Sequence, residues 1–221
     1  MLDAKIIDQE SVILLDTVKN IFQDPGEQLL KWQLEFVLVT ELTSKKCKLC
    51  LDLLDANLGP TYSKVNGKDW KLNKKEEMKE PGLVYLLLWD EDKLVGFLSF
   101  KFINEYQLVL YLYEIQFTEA LRGNGLGTLM IEKLEMVVKN VNSSKRLAQL
   151  WSSKFPEEFP TVEDALLVGI GLTVFSSNEG AMRLYTRLGF TIGGDSPRDY
   201  VLRNGKVIKP PYYMMEKRVV D

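Results

Sequence analysis

Residues 111–128 read YLYEIQFTEALRGNGLGT, and the fold follows from how this stretch is read. Its first half is an extended, largely apolar segment. It ends in a charged turn, then Gly123, Gly125 and Gly127 at alternate positions, then Leu126, Leu129, Met130, Leu134 and Val137 at helical spacing. The pattern predicts a strand, a phosphate-sized loop and a helix start. Glycines let the backbone approach a ligand, and a helix N-terminus presents unpaired N–H groups at the positive end of its dipole. Such a turn is an anion site. Two familiar phosphate loops fail on spacing. A P-loop needs Lys and then Ser or Thr directly after its last glycine, whereas Gly127 is followed by Thr128 and Leu129. The dinucleotide pattern G-x-G-x-x-G, started at Gly123, meets Thr128 where its third glycine belongs.

What remains is Arg122-Gly123-Asn124-Gly125-Leu126-Gly127, an R-x-x-G-x-G run. A second stretch, residues 178–190, reads NEGAMRLYTRLGF and forms a short amphipathic helix closed by Gly189. Together they resemble the two signatures of the GNAT acetyltransferases, in the family's order. That resemblance implies an α/β (α+β) acyl-CoA N-acyltransferase fold, a mixed, mostly antiparallel sheet of about seven strands flanked by helices. It also implies acetyl-CoA as donor, held by Ile115, Gln116, Phe117, Arg122, Gly123, Asn124, Gly125, Leu126, Gly127, Thr128, Asn178 and Tyr185. Asn178 could equally cap its helix.

Outward from these motifs, the 221 residues, 46% of them apolar, suit one domain over 1–221. No apolar run is long enough to span a bilayer and no signal-peptide pattern opens the chain, so a soluble intracellular protein without a membrane partner is expected. The net charge of −3 argues against direct nucleic-acid binding and suits a basic substrate. Cys47 and Cys50 form a C-x-x-C pair in a chain without histidine. Metal and redox sites need further ligands or context, so no metal is expected and the cysteines read as half-buried helix residues.

A helix is predicted over 6–21, stopped by Asp24-Pro25-Gly26, then a strand over 32–42 and a helix from Ser44 to a breaker at Leu58-Gly59-Pro60. The N-terminal part thus comprises residues 1–57. The lysine-rich stretch around Trp70 reads as a loop. Residues 83–90, 93–102 and 107–117 read as a meander of three strands. Residues 143–165 stand as an insertion relative to the family, covering the core or forming a partner surface. A short strand to Gly194, a hairpin at Asn204-Gly205 and a strand over 212–219 complete the chain.

Acetyl transfer to an amine needs a proton acceptor, and without histidine that must be a carboxylate, a tyrosine or a water chain. Glu114 interrupts an apolar strand, where desolvation would make it a stronger base. An ion-paired anchor is the structural alternative. Tyr185, on the second motif's helix, can protonate the departing thiolate or simply pack.

Tyr113-Glu114-Ile115-Gln116, the Tyr62 segment, residues 172–178, Asp195-Ser196-Pro197 and the Tyr213 strand resemble the NatD-type N-terminal acetyltransferases, which act on the N-terminal serine of histones 4 and 2A. On that resemblance Tyr62, Trp70, Glu105, Tyr113, Glu114, Thr173 and Tyr213 contact the peptide, and Glu114, Tyr113 and Tyr185 are catalytic. Ile103 and Asn104 stand where that pattern has an acidic residue. The resemblance implies a monomer of cytoplasm and nucleus, a histone N-terminal peptide as substrate, and the ribosome as a further candidate partner. An α-amine, of pKa about 8, is cheaper to deprotonate near neutrality than a lysine, of pKa about 10.4, by roughly 3 kcal/mol. Two other readings stay open: a GNAT enzyme for lysine side chains or a polyamine, and a catalytically silent acetyl-CoA-binding scaffold.

Overall fold

The computed structural model describes residues 4–104 and 107–219. The chain runs α1 (Ala4–Ile21), β1 (Gln33–Leu38), α2 (Ser44–Asn66), α3 (Trp70–Glu77), β2 (Val84–Asp90), β3 (Lys93–Asn104), β4 (Leu108–Phe117), α4 (Leu126–Ser144), α5 (Arg146–Lys154), β5 (Gly169–Phe175), α6 (Glu179–Arg187), β6 (Thr191–Ile192), β7 (Tyr200–Val201), β8 (Val207–Ile208) and β9 (Tyr212–Arg218). Seven strands form one mixed sheet in the order β1-β2-β3-β4-β5-β9-β6, and β7 pairs β8 apart from it. Only β4 and β5 are parallel neighbours.

The two faces of the sheet bury different helices. Leu86, Leu98, Phe100, Leu110 and Leu112 alternate along β2, β3 and β4 onto one face, against Leu14 and Val18 of α1 and Met130, Leu134 and Val137 of α4. Tyr85, Leu87 and Phe97 point the other way, onto Cys47 and Cys50 of α2 and Met78 beyond α3. Both cysteines are free and buried. The period of two in the strands and 3.6 in the helices is what separates these layers.

One irregularity shapes the centre of the sheet. In the β3–β4 ladder Ser99 pairs Glu114 but Phe100 pairs Leu112, so Tyr113 is the extra residue of a bulge. Leu108, Leu110 and Leu112 face the larger core, whereas Tyr113 packs on the α2–α3 side and Glu114 reaches side chains of those helices. A bulge bends its strand and adds twist. Pairing of β4 with β5 runs from Val109 and Gly169 only to Leu112 and Leu172. Beyond this point β5 stays paired with β9 while β4 stays with β3, so the two central strands part.

Two predictions change. Helix α2 does not stop at Leu58-Gly59-Pro60 but continues to Asn66, with Pro60 inside it and Gly67, at φ +83°, ending it. Proline removes one helical hydrogen bond without forbidding the turns that follow. The lysine-rich stretch is the helix α3, because Trp70, Lys74 and Met78, four residues apart, all turn inward. In the insertion, α4 runs on to Ser144 and α5 follows; Leu147, Ala148, Trp151, Phe159 and Ala165 are buried in the main core.

Candidate active site

The parting of β4 and β5 opens onto a cleft of about 1200 Å³. Its lining joins the two sequence motifs, from Arg122, Gly123, Gly125, Leu126, Gly127 and Thr128 at one end to Tyr62, Lys74, Glu77, Ile103 and Val109 at the other. Glu114, Gln116, Thr173 and Tyr185 line it between them.

The loop end has the build of an anion cradle. Gly123 and Gly125 have φ of +76° and +80°, a left-handed backbone that a side chain would strain. A Cβ on Gly127 would come within 3.0 Å of Leu184 on α6, so glycine here lets α4 and α6 meet closely. Helix α4 starts at Gly125 with no side-chain cap. N–H groups at such a helix start suit an oxygen-rich anion. The Thr128 hydroxyl accepts from Arg187 of α6 at 3.2 Å, and Asn124 donates to the Ala120 carbonyl. Asn178 lines the cleft and caps α6, its Oδ1 accepting from the Ala181 N–H at 3.2 Å.

At the centre, Glu114 is 6% exposed and Lys74 is 5% exposed. Lys74 Nζ lies 2.5 Å from Glu114 Oε1. The Tyr62 hydroxyl donates to the same oxygen at 3.2 Å, and Gln116 Nε2 donates to Oε2 at 2.8 Å. The buried carboxylate is thus met by an ammonium and two neutral donors. The ion-paired alternative left open by the sequence is the geometry present here, and Lys74 was not foreseen. Lys74 also contacts Glu77 and lies over the Tyr62 ring, 5.4 Å from its centroid. Burial pulls the Lys74 pKa down, but Glu114, Tyr62 and Glu77 together carry it above the ordinary lysine range. Burial raises the Glu77 carboxyl, with Lys74 opposing.

The tyrosines divide. Tyr62 is pinned by Trp70, stacked at 4.5 Å, and by the edge of Phe175 at 4.8 Å. Trp70 does not line the cleft; it is buried behind Tyr62. The Tyr113 hydroxyl donates to Glu80 at 2.9 Å, a carboxylate that also takes Lys101 at 2.8 Å. Burial and then Glu80 raise the Tyr113 pKa. Burial, and after it the Glu114 charge, raise that of Tyr185, so its phenol holds its proton at neutral pH. Thr173 shares a 2.6 Å hydrogen bond with the Tyr111 hydroxyl. Tyr213 is outside the cleft: Tyr212, Met214, Met215 and Glu216 of β9 line it, while Tyr213 is buried in the core and bonds Asp199. Glu105 lies outside the described residues.

Sequence reasoning missed Asn57, Lys74 and Glu80. The first two had a signal. Lys74 shares the inward stripe of Trp70 and Met78, and Asn57 continues the stripe of Cys47, Cys50 and Leu54. A polar residue on an apolar stripe needs a buried partner.

With a seven-stranded sheet that splits at its centre and a glycine loop feeding a helix, the chain belongs to the GNAT family. Residues 51–155 match that family's model, Acetyltransferase (GNAT) family. The chain is 32% identical to N-alpha-acetyltransferase 40 of Saccharomyces cerevisiae, in an alignment covering 73% of this chain and 59% of that protein, so it spans about three fifths of its relative's length. Among the solved structures that share the fold are the following two. PH1933 of Pyrococcus horikoshii OT3 aligns with a TM-score of 0.51 at 18% identity, covering 84% of this chain and 98% of that one. An acyl-CoA N-acyltransferase of Pseudomonas aeruginosa aligns with a TM-score of 0.50 at 14% identity, covering 84% and 99%. The donor of the family is acetyl-CoA. Among the described residues no helix is long and apolar enough to cross a membrane.

Proposed function

We propose that the chain is an acetyl-CoA-dependent N-terminal acetyltransferase acting on the α-amine of Ser-Gly-Arg-Gly termini of the kind carried by histones 4 and 2A. The single observation that carries this reading is the buried Glu114 at the parting of β4 and β5, between the glycine loop and the Tyr62 wall. The 32% identity to an N-alpha-acetyltransferase supports the choice of an α-amine.

The cradle fits acetyl-CoA: the Gly123 and Gly125 backbone and the uncapped start of α4 suit a pyrophosphate, and the gap between β4 and β5 suits a pantetheine arm. Bound there, acetyl-CoA supplies an electrophilic thioester carbonyl. Backbone N–H groups of β4 beyond Leu112, where pairing with β5 has ended, would polarise that carbonyl. Glu114, directly or through a water, takes the proton that the amine loses. Tyr185 lines the cleft with its phenol protonated and donates to the thiolate. Tyr62 and Thr173 flank the entry of the peptide, and the carboxylates of Glu77 and Glu80 give that side a negative field for a basic terminus.

The test is transfer of label from acetyl-CoA to a Ser-Gly-Arg-Gly peptide, run beside the same peptide with its N-terminus pre-acetylated and an internal lysine free. Label on the free terminus alone is expected. Label on the blocked peptide would assign lysine chemistry, and cofactor binding without transfer to any amine would assign a scaffold.

A further inference from the structure

A file of side chains joins the glycine loop to Glu114. The Arg122 guanidinium donates to Asn57 Oδ1 and, through Nε, to the Phe117 carbonyl at 3.3 Å. Asn57 Nδ2 donates to Gln116 Oε1 at 2.8 Å and to the same Phe117 carbonyl at 3.0 Å. Gln116 Nε2 then donates to Glu114 Oε2 at 2.8 Å.

The direction of this file is forced from both ends. Arg122 only donates, so Asn57 must turn its carbonyl toward it. An ionised Glu114 only accepts, so Gln116 must turn its NH2 group there and its carbonyl toward Asn57. Asn57, with its amide nitrogen shared between Gln116 and Phe117, is the residue type that satisfies both demands. Hydrogen bonds aligned head to tail polarise one another, and a partly buried setting enlarges the effect.

We infer that Asn57 is a positioning residue that carries the state of Arg122 in the glycine loop to Glu114, so that an occupied cofactor site orients and charges the proton acceptor. The inference rests on the proposed function in giving Glu114 that role, while the coupling itself is a property of the fold. Lys74 and Tyr62 hold only Oε1, so the second oxygen depends on this file. Asn57 sits on α2, outside both sequence motifs.

The experiment compares wild type with Asn57→Ala, Asn57→Asp, Gln116→Leu and the double variant Asn57→Ala/Gln116→Leu. Asn57→Asp keeps the acceptor for Arg122 and loses the donor for Gln116 and the Phe117 carbonyl, so it reverses one link with little change of shape, and its thermal midpoint checks that it stays folded. Expected are a fall in kcat of about tenfold in each single variant, an acetyl-CoA Kd within about threefold of wild type in the two Asn57 single variants, and an acid limb of the kcat/KM profile moved to higher pH. The double variant should be no worse than Gln116→Leu, because links in series fail together. Because Gln116 lines the cleft it feels the cofactor directly, so its side-chain amide NMR signals should shift on adding acetyl-CoA in both proteins, but distinctly further in wild type than in Asn57→Asp. This readout stands whichever amine is acetylated, so failure of the substrate assignment is seen separately, in the wild-type transfer assay. An unshifted acid limb with additive losses in the double variant, or Gln116 signals that respond alike in wild type and Asn57→Asp, would overturn the inference.

Discussion

Lys74 Nζ lies 2.5 Å from Glu114 Oε1, and both side chains are almost wholly buried. A charge so placed is tolerable only with its partner. Lys74→Met should therefore destabilise the fold by about 3 kcal/mol or more, since it strands a carboxylate. Adding Glu114→Gln should restore part of that loss, because the stranded charge is gone. Urea unfolding of the two singles and the double, read as a double-mutant cycle, measures the coupling.

The glycine loop gives a second expectation. Gly125 has φ of +80°, and a Cβ there would meet only the tip of Gln28 at 3.9 Å. Gly125→Ala is therefore penalised by backbone strain of about 1–2 kcal/mol rather than by a clash. Acetyl-CoA affinity should fall by about tenfold while the fold persists, as calorimetry can show.

Away from the cleft, Glu10 of α1 is 6% exposed, and among the described residues neither its Oε1 nor the buried Trp151 Nε1 of α5 finds a partner with full hydrogen-bond geometry. Burial lifts the Glu10 carboxyl from 4.5 to about 7, with the Trp151 indole N–H, near but short of hydrogen-bond geometry, and Lys101 opposing. The folded state then binds a proton that the unfolded chain has released. Stability is full below about pH 4.5 and falls as pH rises through about 7, by up to about 3 kcal/mol. Glu10→Gln should raise the thermal midpoint near pH 8.5 and leave it nearly unchanged near pH 5. A midpoint gain that is equal at both values would contradict the assignment.

Much of this was legible in the chain because the decisive features are local. The R-x-x-G-x-G loop and the 178–190 helix announce themselves through glycine spacing and helical periodicity, and period-two alternation gives the strands around them. The misreadings share a physical cause. Gly59-Pro60 carries a strong local breaking signal, yet α2 continues, and beyond the proline Tyr62 is packed between Trp70 and Phe175 and bonded to Glu114. The charge-rich 70–77 segment looks solvated, yet its one inward lysine meets a carboxylate 40 residues away. The bulge at Tyr113 was invisible, since it depends on how β3 and β4 pair. Tyr213 shows the reverse limit: neighbouring Tyr212 and Tyr213 are the same residue type, and only register tells which one faces the cleft.

The most direct test of the central claim is Glu114→Gln. Glutamine keeps the volume and an acceptor for Lys74 and Tyr62 but has no charge to take a proton. Steady-state kinetics on a Ser-Gly-Arg-Gly peptide, with acetyl-CoA binding measured in parallel, should show kcat lower by about a hundredfold or more and the acetyl-CoA Kd almost unchanged. Undiminished kcat in a folded variant that binds acetyl-CoA normally would remove Glu114 from the chemistry and leave it a structural partner of Lys74.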